Sequence, residues 1–221
     1  MDICKFIIKN VQDKNPSDNI GYTPLHLAAK GGFVNICKFI IENVQDKNPS
    51  NIDGDTPLHF TSECGNLDIF KLIFENVDDK NPGDNDGVTP LHVAVENGHF
   101  DICELIIENV SDKNPSADDG ETPLHVAAEK GNFNICKLII ENVQNKNPVD
   151  GNINTPLHLA AGKGYFEICK LIFQSSIQIY PPIQFAAIEN PRNNLGQTPI
   201  DVAALNGYPK ICEYFDSIVE K

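Results

Sequence analysis

Thr23-Pro24-Leu25-His26-Leu27-Ala28-Ala29 is the stretch on which the reading of the chain turns. A threonine hydroxyl can cap a helix, and proline suits the first helical position because its missing N–H would have no partner there. Leu25, Leu27, Ala28 and Ala29 then predict a short helix with one small, apolar face. Gly32 can take the left-handed conformation that ends it. Beyond it, Val34, Ile36, Cys37, Phe39, Ile40 and Ile41 predict a second, strongly apolar helix, with Lys38 and Glu42 outside. Upstream, Asn15-Pro16-Ser17-Asp18-Asn19-Ile20-Gly21 is turn chemistry and predicts a linking hairpin.

The unit recurs. Thr-Pro-Leu-His returns at Thr56, Thr89, Thr122 and Thr155, each step being 33 residues. A diverged Thr-Pro-Ile-Asp begins at Thr198, after a step of 43. Cysteine keeps the same spacing at Cys4, Cys37, Cys103, Cys136, Cys169 and Cys212, with Phe70 in the skipped slot. Glycine does so at Gly32, Gly65, Gly98, Gly131, Gly164 and Gly207, and Asn-Pro recurs from Asn15-Pro16 to Asn190-Pro191. One such helix pair cannot bury its apolar face alone, but stacked neighbours can, which defines a quasi-one-dimensional solenoid.

This period and motif resemble the ankyrin repeat. The resemblance implies an all-α solenoid with β-hairpin loops: six units of the Thr-Pro-Leu-His type preceded by a partial repeat. The expected division of a single domain spanning 1–221 is a partial repeat at 1–17 and repeats at 18–50, 51–83, 84–116 and 117–149. A repeat with a ten-residue insertion follows at 150–192, then a capping repeat at 193–221. The chain opens in a second helix with no preceding first helix, so its start reads as cut from a longer array or engineered, with weak self-association expected through that end of a mostly monomeric protein. Asp216 stands where Ile41 sits in the first repeat, which reads as a terminal cap.

Departures from the family pattern set further expectations. The second helix of family members ends in Gly-Ala; here the pair is Val44-Gln45 and its equivalents, so a remodelled helix end is expected. Ile153 replaces the hairpin glycine, and a β-branched residue resists positive φ, so a turn rebuilt around Gly151-Asn152 is expected. The longer segment Gln174–Glu189, apolar with Pro181-Pro182, reads either as a loop folded onto the helices or as a finger contacting a partner. Asn15, flanked by Lys14 and Pro16, and its equivalents read as braces of the turn.

Composition limits the function. The net charge of -14, with Arg192 the lone arginine, repels phosphate backbones and argues against nucleic acid and anionic lipid. No signal peptide or membrane-length apolar run is visible, so the expected setting is cytoplasmic, with reduced thiols. His26, His59, His92, His125 and His158 lie on separate layers, too scattered for a tetrahedral metal site; the resemblance implies that they tie hairpin backbone together. His99 lies outside that register and reads as a surface residue, and Cys64 as the exposed thiol. No phosphate loop, serine elbow or zinc spacing is present, so neither catalysis nor a cofactor is expected.

What the resemblance implies instead is protein recognition on the concave side, through hairpin tips and exposed positions of the first helices. The candidates are Ile20, Tyr22, Ile52, Asp53, Asp55, Glu63, Asp86, Val88, Glu96, Asp118, Asp119, Glu121 and Glu129. Their acidic character predicts a partner with a basic surface or a basic peptide, the apolar members acting as anchors. The alternative is a structural spacer from a longer array, or an engineered repeat protein with no specific partner.

Overall fold

The computed structural model describes residue 10, residues 14–177 and residues 191–219. These form two compact units, 1–111 and 112–221. Among the described residues all regular structure is helical, with no strand.

In the first unit three helix pairs follow one another: α1 (Pro24–Lys30) with α2 (Val34–Ile41), α3 (Pro57–Cys64) with α4 (Leu67–Phe74), and α5 (Pro90–Glu96) with α6 (Phe100–Asn109). First helices stack on first helices, α1 on α3 and α3 on α5, while α2, α4 and α6 form a second layer. The core between the layers holds Leu25, Leu58 and Leu91 from the first helices, against Ile40, Ile69, Phe70, Ile73, Ile102 and Ile106 from the second. The second unit repeats the plan with α7 (Pro123–Lys130), α8 (Phe133–Asn142), α9 (Pro156–Lys163), α10 (Phe166–Ile177), α11 (Pro199–Leu205) and α12 (Pro209–Val219). Here α9 packs against both α7 and α11, and α10 against both α8 and α12.

Among the described in-register cysteines, Cys37, Cys103, Cys136 and Cys169 are buried in the core and Cys212 is half-buried. Cys64 is exposed, at the end of α3. Burial pushes the Cys37 thiol up to about 11 and those of Cys103, Cys136 and Cys169 up to about 12. One core position is polar without compensation. Ser62 occupies the slot of Ala29, is fully buried, and its Oγ finds no hydrogen-bond partner, while neighbouring Thr61 donates to the Pro57 and Leu58 carbonyls.

The altered end of the second helix is a small module of its own. Asn43, Asn76, Asn109 and Asn142 each donate from Nδ2 to the carbonyl four residues back, closing the helix. Asp46, Asp79, Asp112 and Asn145 then accept from the N–H two residues on, which folds Asp-Lys-Asn-Pro into a turn. The next residues, Asn48, Asn81 and Asn114, accept the N–H of Leu58, Leu91 and Leu124 ten residues ahead. The brace therefore reaches past the tip and satisfies a donor left open at the start of the following first helix.

Two expectations are corrected. The turn at Ile153 is not rebuilt: Ile153 itself takes φ 59° and its N–H donates to the Asp150 carbonyl at 2.9 Å, as Gly21 does to Asp18 at 3.1 Å. Asp150 Oδ1 also accepts from the N–H groups of Asn152 and Asn154, both at 2.8 Å. Three bonds to one aspartate over-determine the turn and hold a β-branched residue in a region it otherwise avoids. Second, Gln174–Ile177 are not loop but the last turn of α10, which runs for 12 residues because the Asn-Val found at the ends of α2, α4, α6 and α8 is missing here. The remainder of the insertion, like most of the partial repeat expected at 1–17, lies outside the described residues.

Candidate functional site

Each turn is built on one side chain. Asp18, Asn51, Asp84, Asp150 and Asn193 accept from the N–H two and four residues on, pinning the tip. Ala117 cannot do this, and there Asp119 Oδ1 accepts from the Glu121 N–H instead. Successive tips within a unit are stitched by single backbone bonds: Ile52 N–H to Ile20 carbonyl (3.2 Å) and Asn85 N–H to Asp53 carbonyl (3.0 Å) in the first unit. In the second unit the bonds run from Gly151 N–H to Asp119 carbonyl (2.6 Å) and from Asn194 N–H to Asn152 carbonyl (2.9 Å).

The repeated histidines complete this frame. In His26, His59, His125 and His158, Nδ1 accepts from the backbone N–H of the threonine three residues earlier. Nε2 donates to a carbonyl in the next turn, that of Asp55, Val88, Asn154 and Gln197 respectively, at 3.0–3.1 Å. One nitrogen accepting and the other donating requires the neutral Nε2–H form. Burial holds all four below the usual histidine range, in line with that assignment. Asp201, in the last Thr-Pro-Ile-Asp, closes its local capping box with Thr198 and lies 3.8 Å from the Arg192 guanidinium.

His99 is not a bare surface residue either. It is half-buried, its Nε2 lies 3.1 Å from the Glu63 carbonyl, and its ring covers Gly65 so closely that a Cβ there would meet it at 2.3 Å. Tyr165 over Gly131 and Tyr208 over Gly164 repeat the arrangement in the second unit. The signal was in the sequence: Phe33, Asn66, His99, Asn132, Tyr165 and Tyr208 all follow the loop glycine.

On this frame the candidate recognition residues fall as follows. In the first unit Ile20, Ile52, Asp53, Glu63, Asp86 and Glu96 are exposed, and Tyr22, Asp55 and Val88 are half-buried. In the second, Asp118 and Asp119 are exposed, and Glu121 and Glu129 are half-buried. Some of these acids are already engaged. Glu129 pairs with Lys163 at 3.1 Å, Asp55 Oδ2 receives Asn51 Nδ2 at 3.4 Å, and Asp119 organises its own turn. Asp53 and Asp86 contribute only backbone to the frame, which leaves their carboxylates at the tips. No described group of three or more His, Cys, Asp or Glu side chains could hold a metal ion.

The sequence reading missed Phe60. Its ring lies 5.4 Å from that of Tyr22 and edge-on to the His26 imidazole at 5.7 Å, and the Lys30 ammonium sits over it at 5.3 Å. The equivalent residues are Leu27, Val93, Val126, Leu159 and Val202, so an aromatic here was visible once the repeats were aligned.

These helix pairs, tip frames and histidine ties define a helical repeat protein. The family model for ankyrin repeats (3 copies) matches residues 1–82, 43–117, 109–183 and 149–216. The chain belongs to the ankyrin-repeat family, and its fold is the all-helical ankyrin solenoid. No curated protein matches it. Ankyrin repeats are in general modules of protein–protein interaction and typically not enzymes. Among the described residues no helix is long and apolar enough to cross a membrane.

Proposed function

We propose that this protein binds another protein through its turn tips and the exposed ends of its first helices, and that the partner's contact surface is basic. The observation that carries the reading is a division of labour among polar side chains. Asp18, Asp84, Asp150 and the histidines are consumed in building the frame, whereas Asp53, Asp86, Glu63 and Asp118 are exposed beyond it. Apolar residues accompany the acids: Ile20 is 49% exposed and Ile52 61% exposed, on adjacent, stitched turns. Exposed apolar side chains next to acids suit a partner that offers both an anchor contact and positive charge, the anchors supplying affinity and the acids selecting and steering.

The test is capture of binding proteins by the whole chain, compared with a variant carrying Ile20→Ser, Ile52→Ser, Asp53→Asn and Asp86→Asn. These changes leave the turn-building side chains untouched. Basic proteins retained by the native chain and lost by the variant are expected. Equal capture by both would remove the tips from the reading.

A further inference from the structure

Tyr22 on the first turn and Phe60 on α3 bring their ring centres to 5.4 Å of each other, and a cation already lies over Phe60. Lys30 places its ammonium 5.3 Å from the centre of the Phe60 ring, and no carboxylate pairs with it among the described residues. An exposed lysine that rests on an aromatic ring marks a place where positive charge is favoured. The surroundings are acidic. Asp55 and Asp18 lie close enough to His26 to act on its titration through space, and the Asp55 carbonyl receives His26 Nε2 at 3.1 Å. The exposed end of α3 lies against α1, where Cys64 Sγ is 3.8 Å from the Lys30 carbonyl. His26, beneath the rings, is held in its neutral form by its two hydrogen bonds and adds no positive charge. Ile20 and Ile52 offer apolar cover on the same two turns.

From this geometry we infer that Tyr22 and Phe60, with Asp55 beside them, form a subsite for an arginine side chain of the bound partner, with Lys30 as its intramolecular occupant in the free protein. A guanidinium fits better than an ammonium, because it is planar, stacks on aromatic faces and is more weakly hydrated. An incoming arginine displaces Lys30 from the Phe60 ring and turns its N–H groups toward Asp55. The subsite rests on the proposed recognition surface and gives it a residue-level specificity.

The probe is Nα-acetyl-arginine amide, titrated into the full chain and followed by the side-chain NMR resonances of Tyr22, Phe60 and Lys30. Nα-acetyl-citrulline amide, which keeps the shape without the charge, is the control. Saturable shifts with the arginine compound and none with citrulline are expected. Phe60→Leu keeps an aliphatic residue that the equivalent position 27 already accepts, and should abolish the shifts. Lys30→Met removes the competing ammonium and should tighten binding about 2–5-fold, the equivalent of one exposed cation–π contact. Absence of saturable shifts, equal shifts with citrulline, or indifference to Phe60→Leu overturns the subsite. Because the probe needs no partner, that result leaves protein capture by the tips standing. Arginine binding together with tip-independent capture would instead sink the recognition surface and spare the subsite.

Discussion

The two units share one turn frame and display different things on it. In the first, every turn has glycine at the positive-φ position, at Gly21, Gly54 and Gly87, and the tips carry Ile20, Tyr22, Ile52, Asp53 and Asp86. In the second, acids stop after Asp118, Asp119 and Glu121; the later tips are Gly151, Asn152, Asn154, Asn194, Leu195 and Gln197, and Ile153 strains its turn. Glu129 is tied to Lys163. The frame therefore does not dictate the display: side chains that accept backbone N–H groups fix the turn, and the residues between them are free to vary. Conservation of shape with variation of surface is what a recognition scaffold needs.

The largest expected effect separates thiols. Among the described residues the first unit has one exposed cysteine, Cys64, whereas Cys136 and Cys169 in the second are buried with their thiols raised to about 12. Since the thiolate is the nucleophile, thiols raised by burial react far more slowly at neutral pH, even before occlusion is counted. Thiol titration of the native chain should show a fast equivalent that disappears in Cys64→Ser. Half-buried Cys212 should come next, well ahead of the core cysteines.

The turn glycines come second. A Cβ at Gly54 would meet the Asn85 backbone nitrogen at 2.5 Å, in a residue already at φ 87°. Gly54→Ala should therefore cost about 2–3 kcal/mol in denaturant unfolding, combining the left-handed penalty with displacement of the next turn. The same comparison reversed, Ile153→Gly, should stabilise by about 1 kcal/mol, since strain is relieved while chain entropy opposes it. A destabilised Ile153→Gly would show that its turn is not strained.

The asparagine braces are smaller. Asn81→Ala in the first unit and Asn114→Ala in the second each leave a leucine N–H at a helix start without its acceptor, and each should cost about 1–2 kcal/mol. Equal losses are expected, because the brace belongs to the common frame. Ser62→Ala, a change to the residue found at position 29, should raise stability by about 1 kcal/mol by removing an unpaired buried hydroxyl.

These examples mark what a sequence can disclose. Helices and caps depend on residues at fixed short spacings, and the histidine ties reach the next copy of the same unit, so a period of 33 residues announces them. The roles of individual acids do not follow from spacing. Asp84 and Asp86 look alike in a list of charges, yet Asp84 builds the turn and Asp86 only lends its N–H to it. Ile153 misled because its own preference was weighed without the three bonds to Asp150 that override it. The Tyr22–Phe60 pair joins residues 38 apart, on different repeats, and emerges only when the turns are stacked.

Recognition of a basic partner by acidic tips is tested most directly by the association rate of a captured partner as a function of salt. The native chain is compared with one in which Asp53, Glu63 and Asp86 are changed to Lys. Exposed charges are screened over about 8 Å at physiological ionic strength, so steering declines as salt rises. The expected result is a native rate that falls steeply with salt and a variant slower by on the order of 10-fold at low salt, the two converging at high salt. A rate that is flat with salt and unchanged by the charge reversal would contradict acidic recognition.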